Sequence, residues 1–381
     1  MAQLAEVAFW AALAVLAYSF VGYPCAVALL ARWRPRPVAA GDLHPSVTVI
    51  IPAYNEAAVI GAKIENGLEL DYPRERLEIL VASDGSTDET EAVAARYAAR
   101  GVRLIAYPWR RGKLHVLNDV VPQARGEIVV FTDASAMLDR AALRHLARNF
   151  ADPTVGCVTG RYRFGDPPRT PREQGEHLYF GWEGFLRRSE SRCGSTLGAR
   201  GALYAIRRDL YPRIEAHLIN DDFLIPMRIT ERGYRTVYEP EALVYEKARV
   251  TGRGEFARRV RIAVGNYQQA VALLPMLHPR HGLVAFQFFS HKWLRGVLQA
   301  PLLVLLLAAS TLADGEFYGW ALAAQAAFYG CGAIGFALRD RGVARRLIHL
   351  PFYFLMGNLA YLMGMWRFLS GRWEVRWEQV Q

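Results

Sequence analysis

The stretch VTVIIPAYNE, Val47 to Glu56, limits the fold of this chain more than any other. Val47, Thr48, Val49, Ile50 and Ile51 are a β-branched run closed by Pro52. Such a run reads as a strand buried on both faces, which parallel sheets require, followed by a loop. Two more segments obey the same rule. LEILVA, Leu77 to Ala82, leads into Ser83-Asp84-Gly85-Ser86, and IVVFT, Ile128 to Thr132, leads into Asp133-Ala134-Ser135. Strands of open α/β sheets present ligands at their carboxyl ends. Three apolar strands are therefore expected to release polar and acidic residues at one end of one sheet. Helical spacing over 57–70, 88–100, 114–124 and 141–150 alternates with these strands and with Val102–Ala106. That alternation predicts a mostly parallel α/β sheet through about residue 150.

Beyond 150 the pattern loosens. A strand is expected over 155–163, a helix over 175–191, a glycine-punctuated loop from Gly194 to Gly201 and a short strand over 202–206. Asn220-Asp221-Asp222 opens a helix running to Arg232, and acidic residues suit a helix N-terminus.

Apolar residues concentrate at both ends. Val7–Ala31 is almost uncharged and exceeds the ~20 residues needed to cross a bilayer. It has no basic start, as a signal peptide would, and Arg32, Arg34 and Arg36 come directly after it, which places the central domain on the cytosolic side. Segment 255–277 is basic and partly amphipathic, with Arg258, Arg259 and Arg261, and suits a membrane surface. Segments 293–312, 317–338 and 347–369 are further spanning candidates, the second exited through Arg339, Arg341, Arg345 and Arg346. With four crossings the tail would face outward, so either it lies outside or one segment is re-entrant. The expected organisation is an anchor at 1–36, the α/β domain at 46–250, an amphipathic region at 251–290, a membrane region at 291–371 and a tail at 372–381.

The net charge of +10 admits nucleic acid, an anionic membrane or a phosphorylated substrate as partner. The arginines flank apolar spans instead of interleaving with aromatics, which argues for membrane lipids and against nucleic acid. Cys25, Cys157, Cys193 and Cys331 form no C-x-x-C pair, so neither a zinc site nor a disulfide framework is implied.

Asp84, Lys113 and Asp133 place a carboxylate, an ammonium and a second carboxylate at strand ends or just before a helix. A nucleoside diphosphate needs such a set: Asp accepts from base or ribose, Lys meets phosphate, and Asp with Mg²⁺ or Mn²⁺ completes a shell around the diphosphate. The competing reading makes Asp84-Gly85 and Asp133-Ala134 turn residues only. Asp221-Asp222 sets two carboxylates side by side. In a dry cleft one of them becomes prone to hold a proton, which suits a general base; the alternative is a solvated helix cap.

The ordered set VTVIIPAYNE, SDGSTD, RRGK, FTDAS, NDDF and ERGY resembles the family 2 glycosyltransferases over residues 46–270. Within that family it is most similar to the membrane-embedded polysaccharide synthases of cellulose, hyaluronan and poly-N-acetylglucosamine. The resemblance implies a GT-A fold, a nucleotide-sugar donor, usually a UDP-sugar, and a divalent metal. By position it implies that Ala53, Tyr54 and Glu56 line the nucleoside pocket, that Asp84 binds the uracil or ribose, and that Lys113 and Arg261 meet the diphosphate. Asp133 becomes the first acid of the metal motif and Asp222 the catalytic base. Asp221, Trp182, Gly194 and Ser195 fall near the acceptor. The expected reaction is inverting synthesis and export of a β-linked polysaccharide by a multi-pass inner-membrane enzyme with its catalytic domain in the cytosol.

Two departures stand out. Ser135 replaces the second acid of D-x-D, and Arg261 lies in RRVRI where the synthases have Q-x-x-R-W. Trp373 and Trp377 in the tail either stand in for a gating loop or anchor the chain at the membrane interface. The alternatives are single transfer to a lipid acceptor such as a polyprenyl phosphate, and an inactive subunit that binds nucleotide or polymer.

Overall fold

The computed structural model describes residues 1–164, 171–246, 252–337 and 346–373. These divide into two compact units. An α/β unit is built from Leu30–Pro167 and Glu183–Arg249, and a helical unit from Met1–Leu29, Pro168–Trp182 and Val250–Trp373.

The α/β unit contains one eight-stranded sheet. Its strands are β1 (Val47–Ala53), β2 (Leu77–Ser83), β3 (Val102–Ala106), β4 (Ile128–Phe131), β5 (Ala136–Leu138), β6 (Val155–Phe164), β7 (Tyr204–Arg207) and β8 (Arg235–Glu246), in the spatial order β3-β2-β1-β4-β7-β6-β8-β5. β1 pairs in parallel with β2 and β4, and β2 with β3, as the β-branched runs require. Every residue of β1 is buried, Pro52 included, because helices cover both faces. β7 then enters antiparallel beside β4 and turns the sheet mixed, giving a GT-A-like α/β architecture. Val49, Ile51, Ile79, Val81 and Val130 form the core with Ile60 and Ile64 of the helix Ala57–Leu68.

Two local expectations change. The helix expected over 88–100 is one short piece, Thr90–Ala95, followed by a 3₁₀ turn ending at Gly101 in the left-handed region. Strands β5 and β8 were not anticipated. β5 has only three residues, and β8 carries Pro240 and alternating glutamates that dilute its apolar period. After β7 the chain holds Ile214 and Tyr211 against Asn118.

In the helical unit, Ala2–Trp33 and Glu316–Ala337 are long and apolar enough to cross a membrane. The expected span at 293–312 is broken: Leu283–Val297 and Gln299–Leu312 meet at a bend of 58°. Pro301 explains the break, since its ring collides with the carbonyl four residues earlier, at Val297. Arg346–Leu369 forms a 24-residue helix that contains Pro351. It packs closely on the basic helix Gly252–Ala272, where a side chain at Gly364 would meet Ala263 at 2.6 Å. Arg339, Arg341, Arg345 and Trp377 lie outside the described residues.

Candidate active site

The parallel strands β1, β2 and β4 all end at the same edge, and their loops interlock. Asn55 sits in the left-handed region at φ 54°, and its Oδ1 accepts from the backbone N–H of Thr87 at 2.8 Å. Its own N–H donates to Ser86 Oγ, and the N–H of Glu56 donates to Thr90 Oγ1. The loops after β1 and β2 are therefore one hydrogen-bonded layer. Gly85, at φ +67°, is required there, because the backbone of Trp109 and Arg110 passes where its side chain would be, 2.4 Å away.

Asp84 is buried, and each oxygen of its carboxylate accepts one backbone hydrogen bond. Oδ1 accepts from the N–H of Arg111 at 2.6 Å and Oδ2 from the N–H of Gly112 at 2.8 Å. Asp84 thus orders the turn that starts the helix Lys113–Val120. Ala53 is 1% exposed, and its carbonyl accepts from the N–H of Asp84. Glu56 is buried too, and its carbonyl accepts the first helical bonds from Val59 and Ile60. Tyr54 takes the Arg110 guanidinium over its ring at 4.0 Å. Nη2 of that arginine is buried with no hydrogen-bond partner among the described residues.

Lys113, positioned by this turn, carries the centre of the site. Its Nζ lies 3.3 Å from Asp133 Oδ1 and 3.2 Å from Asp221 Oδ2. Burial works against its charge, but Asp221, Asp133 and Asp222 outweigh it and hold the ammonium above the ordinary lysine range. Asp133 follows β4, and Asp221 and Asp222 open the helix Asp221–Glu231. Residues far apart in the chain meet here. The point where a Cβ on Gly201 would sit is 3.4 Å from Asp222 Oδ2 and 3.8 Å from Asp133 Oδ2. The missing side chain leaves a gap between the two carboxylates.

Asp222 is held from the loop side. Its Oδ2 accepts from the N–H of Gly201 at 3.0 Å, and its backbone carbonyl accepts from the N–H of Ala199. Burial and the neighbouring Asp221 raise its carboxyl, while Lys113 lowers it, and the balance stands at about 6. A carboxylate with that affinity can accept a proton near neutral pH.

The loop over Gly194–Gly201 is rigid by construction. Glu190 accepts from Thr196 Oγ1, and Arg187 donates to the carbonyls of Leu197 and Gly198. The expectation for Gly194 and Ser195 changes here. Ser195 is buried, exchanging hydrogen bonds with the backbone of Thr236, and the carbonyl of Gly194 takes Arg235. Both are turned inward, and Ala199–Gly201 is the part of the loop that meets Asp222. Trp182 and Arg261 belong to the helical unit. There Trp182 lies under the Arg295 guanidinium at 4.1 Å, and Arg261 lies on Gly252–Ala272. The α/β unit does not by itself bring these two to the carboxylates.

The donor set suits a hard divalent cation. Asp221 Oδ2 is buried with the Lys113 ammonium 3.2 Å away, and Asp133 remains partly open. No three acidic, His or Cys side chains form a ready cage among the described residues. Mg²⁺ and its like are commonly held by one or two carboxylates with substrate phosphates and water, so the residues present fit such an ion.

Sequence reasoning met Asn55 only as part of a strand end, Arg110 only inside RRGK and Gly201 only as the end of a loop, with no role of its own for any of them. Asn-Glu after a strand and Gly before a strand are readable signals, but the partners Thr87, Tyr54 and Asp222, at separations of 32, 56 and 21 residues, are not.

Known proteins bear on this geometry. The profile described as "Glycosyltransferase like family 2" matches residues 44–264. The poly-β-1,6-N-acetyl-D-glucosamine synthase of Staphylococcus aureus is 27% identical over 232 residues, 60% of this chain and 56% of that protein. The Staphylococcus epidermidis enzyme of the same name is 25% identical over 58% of this chain and 55% of its own length. The chain thus spans little more than half the length of these relatives. A solved structure, the mannosyltransferase PcManGT from Pyrobaculum calidifontis in complex with GDP-Man and Mn²⁺, is 29% identical with a TM-score of 0.70, covering 95% of this chain and 98% of that one. The profile match takes in more than half of the chain and every carboxylate of the site, and the chain belongs to the family 2 glycosyltransferases.

Proposed function

We propose that this protein is an inverting glycosyltransferase of the membrane that transfers sugar from a nucleoside diphosphate donor to a growing β-linked polysaccharide. The observation that carries this reading is the gap at Gly201, bordered by Asp222 on one side and Asp133 on the other, with Lys113 bridging Asp133 and Asp221. An acceptor hydroxyl attacks the anomeric carbon from the face opposite the diphosphate. The new C–O bond forms as the bond to the diphosphate breaks, the proton passes to Asp222, and the configuration inverts. Lys113 meets the departing diphosphate as its charge grows, and the Asp84-held turn keeps that lysine in place. Asp133 and Asp221 would hold Mg²⁺ or Mn²⁺, which supplies Lewis-acid stabilisation of the diphosphate. The Tyr54 ring with Arg110 offers the nucleobase a flat, cationic wall.

The polysaccharide reading draws on the staphylococcal synthases, whose names state that product. Arg32 in the last turn of the first helix, with Arg34 and Arg36 just after it, supports a cytosolic α/β unit. The two long apolar helices and the bent pair support a multi-pass chain. Two observations favour a second reading. The structure that matches nearly the whole of both chains is a mannosyltransferase with GDP-Man, and the Gln and Trp of Q-x-x-R-W are absent here. Single transfer to a lipid acceptor such as a polyprenyl phosphate fits both facts.

The test is a donor screen with the full chain in lipid nanodiscs, comparing UDP- and GDP-sugars with Mg²⁺ and Mn²⁺. Metal-dependent nucleotide release with long products on a gel supports polysaccharide synthesis. Short, lipid-soluble products select the second reading, and no release from any donor rejects both.

A further inference from the structure

The helix Ala57–Leu68 buries a lysine beneath the site. Lys63 is 1% exposed, and among the described residues its amine meets neutral oxygens. Its Nζ donates to Thr132 Oγ1 at 2.9 Å and also to the carbonyl of Ala136. These acceptors bracket the segment Asp133-Ala134-Ser135. Two donors satisfy them, and both an ammonium and a free amine provide two.

The position in the fold explains why such a tie is needed. Thr132 follows β4, in the middle of the sheet, whereas Ala136 begins β5, its far edge. The segment carrying Asp133 therefore crosses the sheet end between strands that are not neighbours. β5 is three residues long and pairs only with β8. One helical turn after Lys63, on the same face, Asn66 exchanges two hydrogen bonds with the backbone of Leu138, at 2.9 and 2.8 Å. Lys63 ties the ends of the segment to each other, and Asn66 fixes β5 at its far end. An apolar side chain of similar length would fill the same space. Retaining an amine there serves the segment above it, because burial of a polar group is unfavourable and is tolerated only with partners.

We infer that Lys63 is a positioning residue that, through Thr132 and Ala136, sets the place of Asp133 for binding the divalent cation and diphosphate. This rests on the proposed glycosyltransferase reading. Partners that orient a metal ligand typically change metal affinity by about 10–100-fold when removed.

The experiment measures UDP and GDP binding to the full chain by calorimetry, with and without Mn²⁺, for the parent, Lys63→Met and Thr132→Val. Thr132→Val keeps the lysine and the shape while removing one acceptor, so it remains informative if Lys63→Met folds poorly. The expected result is a rise of about tenfold or more in the Mn²⁺ concentration needed for nucleotide binding, with metal-free binding unchanged. An unchanged Mn²⁺ dependence in both variants overturns the inference. So does equal loss with and without Mn²⁺, the mark of a merely structural role. A parent that binds neither nucleotide overturns the underlying glycosyltransferase reading, and this inference with it.

Discussion

Adding one methyl at Gly201 separates folding from chemistry at this site. In Gly201→Ala the new Cβ lies 3.4 Å from Asp222 Oδ2, 3.7 Å from Asp222 Cβ and 3.8 Å from Asp133 Oδ2. All three are ordinary van der Waals contacts, and the backbone there is not left-handed, so the fold has no reason to move. The unfolded chain loses freedom, which stabilises the native state by about 0.4–1 kcal/mol. Covering two carboxylates offsets part of that gain, so Tm should stay within about 4 °C of the parent. Activity responds otherwise. A reacting atom held between Asp222 Oδ2 and Asp133 Oδ2 meets the methyl, which touches both. A displacement of about 1 Å at a reacting centre lowers rates by roughly 100-fold, equivalent to about 2.7 kcal/mol in the barrier. The assay is nucleotide release by the purified full chain with its best donor, read as kcat/KM beside a thermal melt. A variant with parental Tm and kcat/KM within about threefold of the parent would refute the placement of the reaction between Asp133 and Asp222.

The same geometry sets other outcomes. With the Asp222 carboxyl at about 6, kcat/KM should rise tenfold per pH unit below pH 6 and level above it. The sign for stability is opposite: a raised carboxyl favours the folded state at acid pH, and this contribution is lost as pH rises through about 6. Asp222→Asn should abolish transfer while nucleotide binding, measured by calorimetry, persists. In Asp84→Asn the amide cannot accept from both Arg111 and Gly112, so about 1–3 kcal/mol of stability is lost and nucleotide affinity falls with the displaced Lys113; equal melts would count against this. Lys113→Met removes the cation between Asp133 and Asp221, so the acid limb of the pH profile should move to higher pH. A limb that stays in place would show that Lys113 does not act on Asp222.

Order and spacing along the chain determined a good deal. The β-branched runs specified β1, β2 and β4 and their parallel pairing, because only strands buried on both faces read that way. They also placed Asp84 and Asp133 at strand ends. Length and apolar composition announced the helices Ala2–Trp33 and Glu316–Ala337, which are long and apolar enough to cross a membrane. Tertiary structure decided the rest, because hydrogen bonds and charge pairs act through space. It committed both oxygens of Asp84 to a turn 27 residues away, turned Ser195 inward, and put Lys113 between two aspartates separated by 88 positions. It bent the helix at Leu298 over Pro301. The proton affinity of Asp222 likewise belongs to no local motif. It arises from burial beside Asp221, Lys113 and Asp133, and those distances exist only once the sheet has folded.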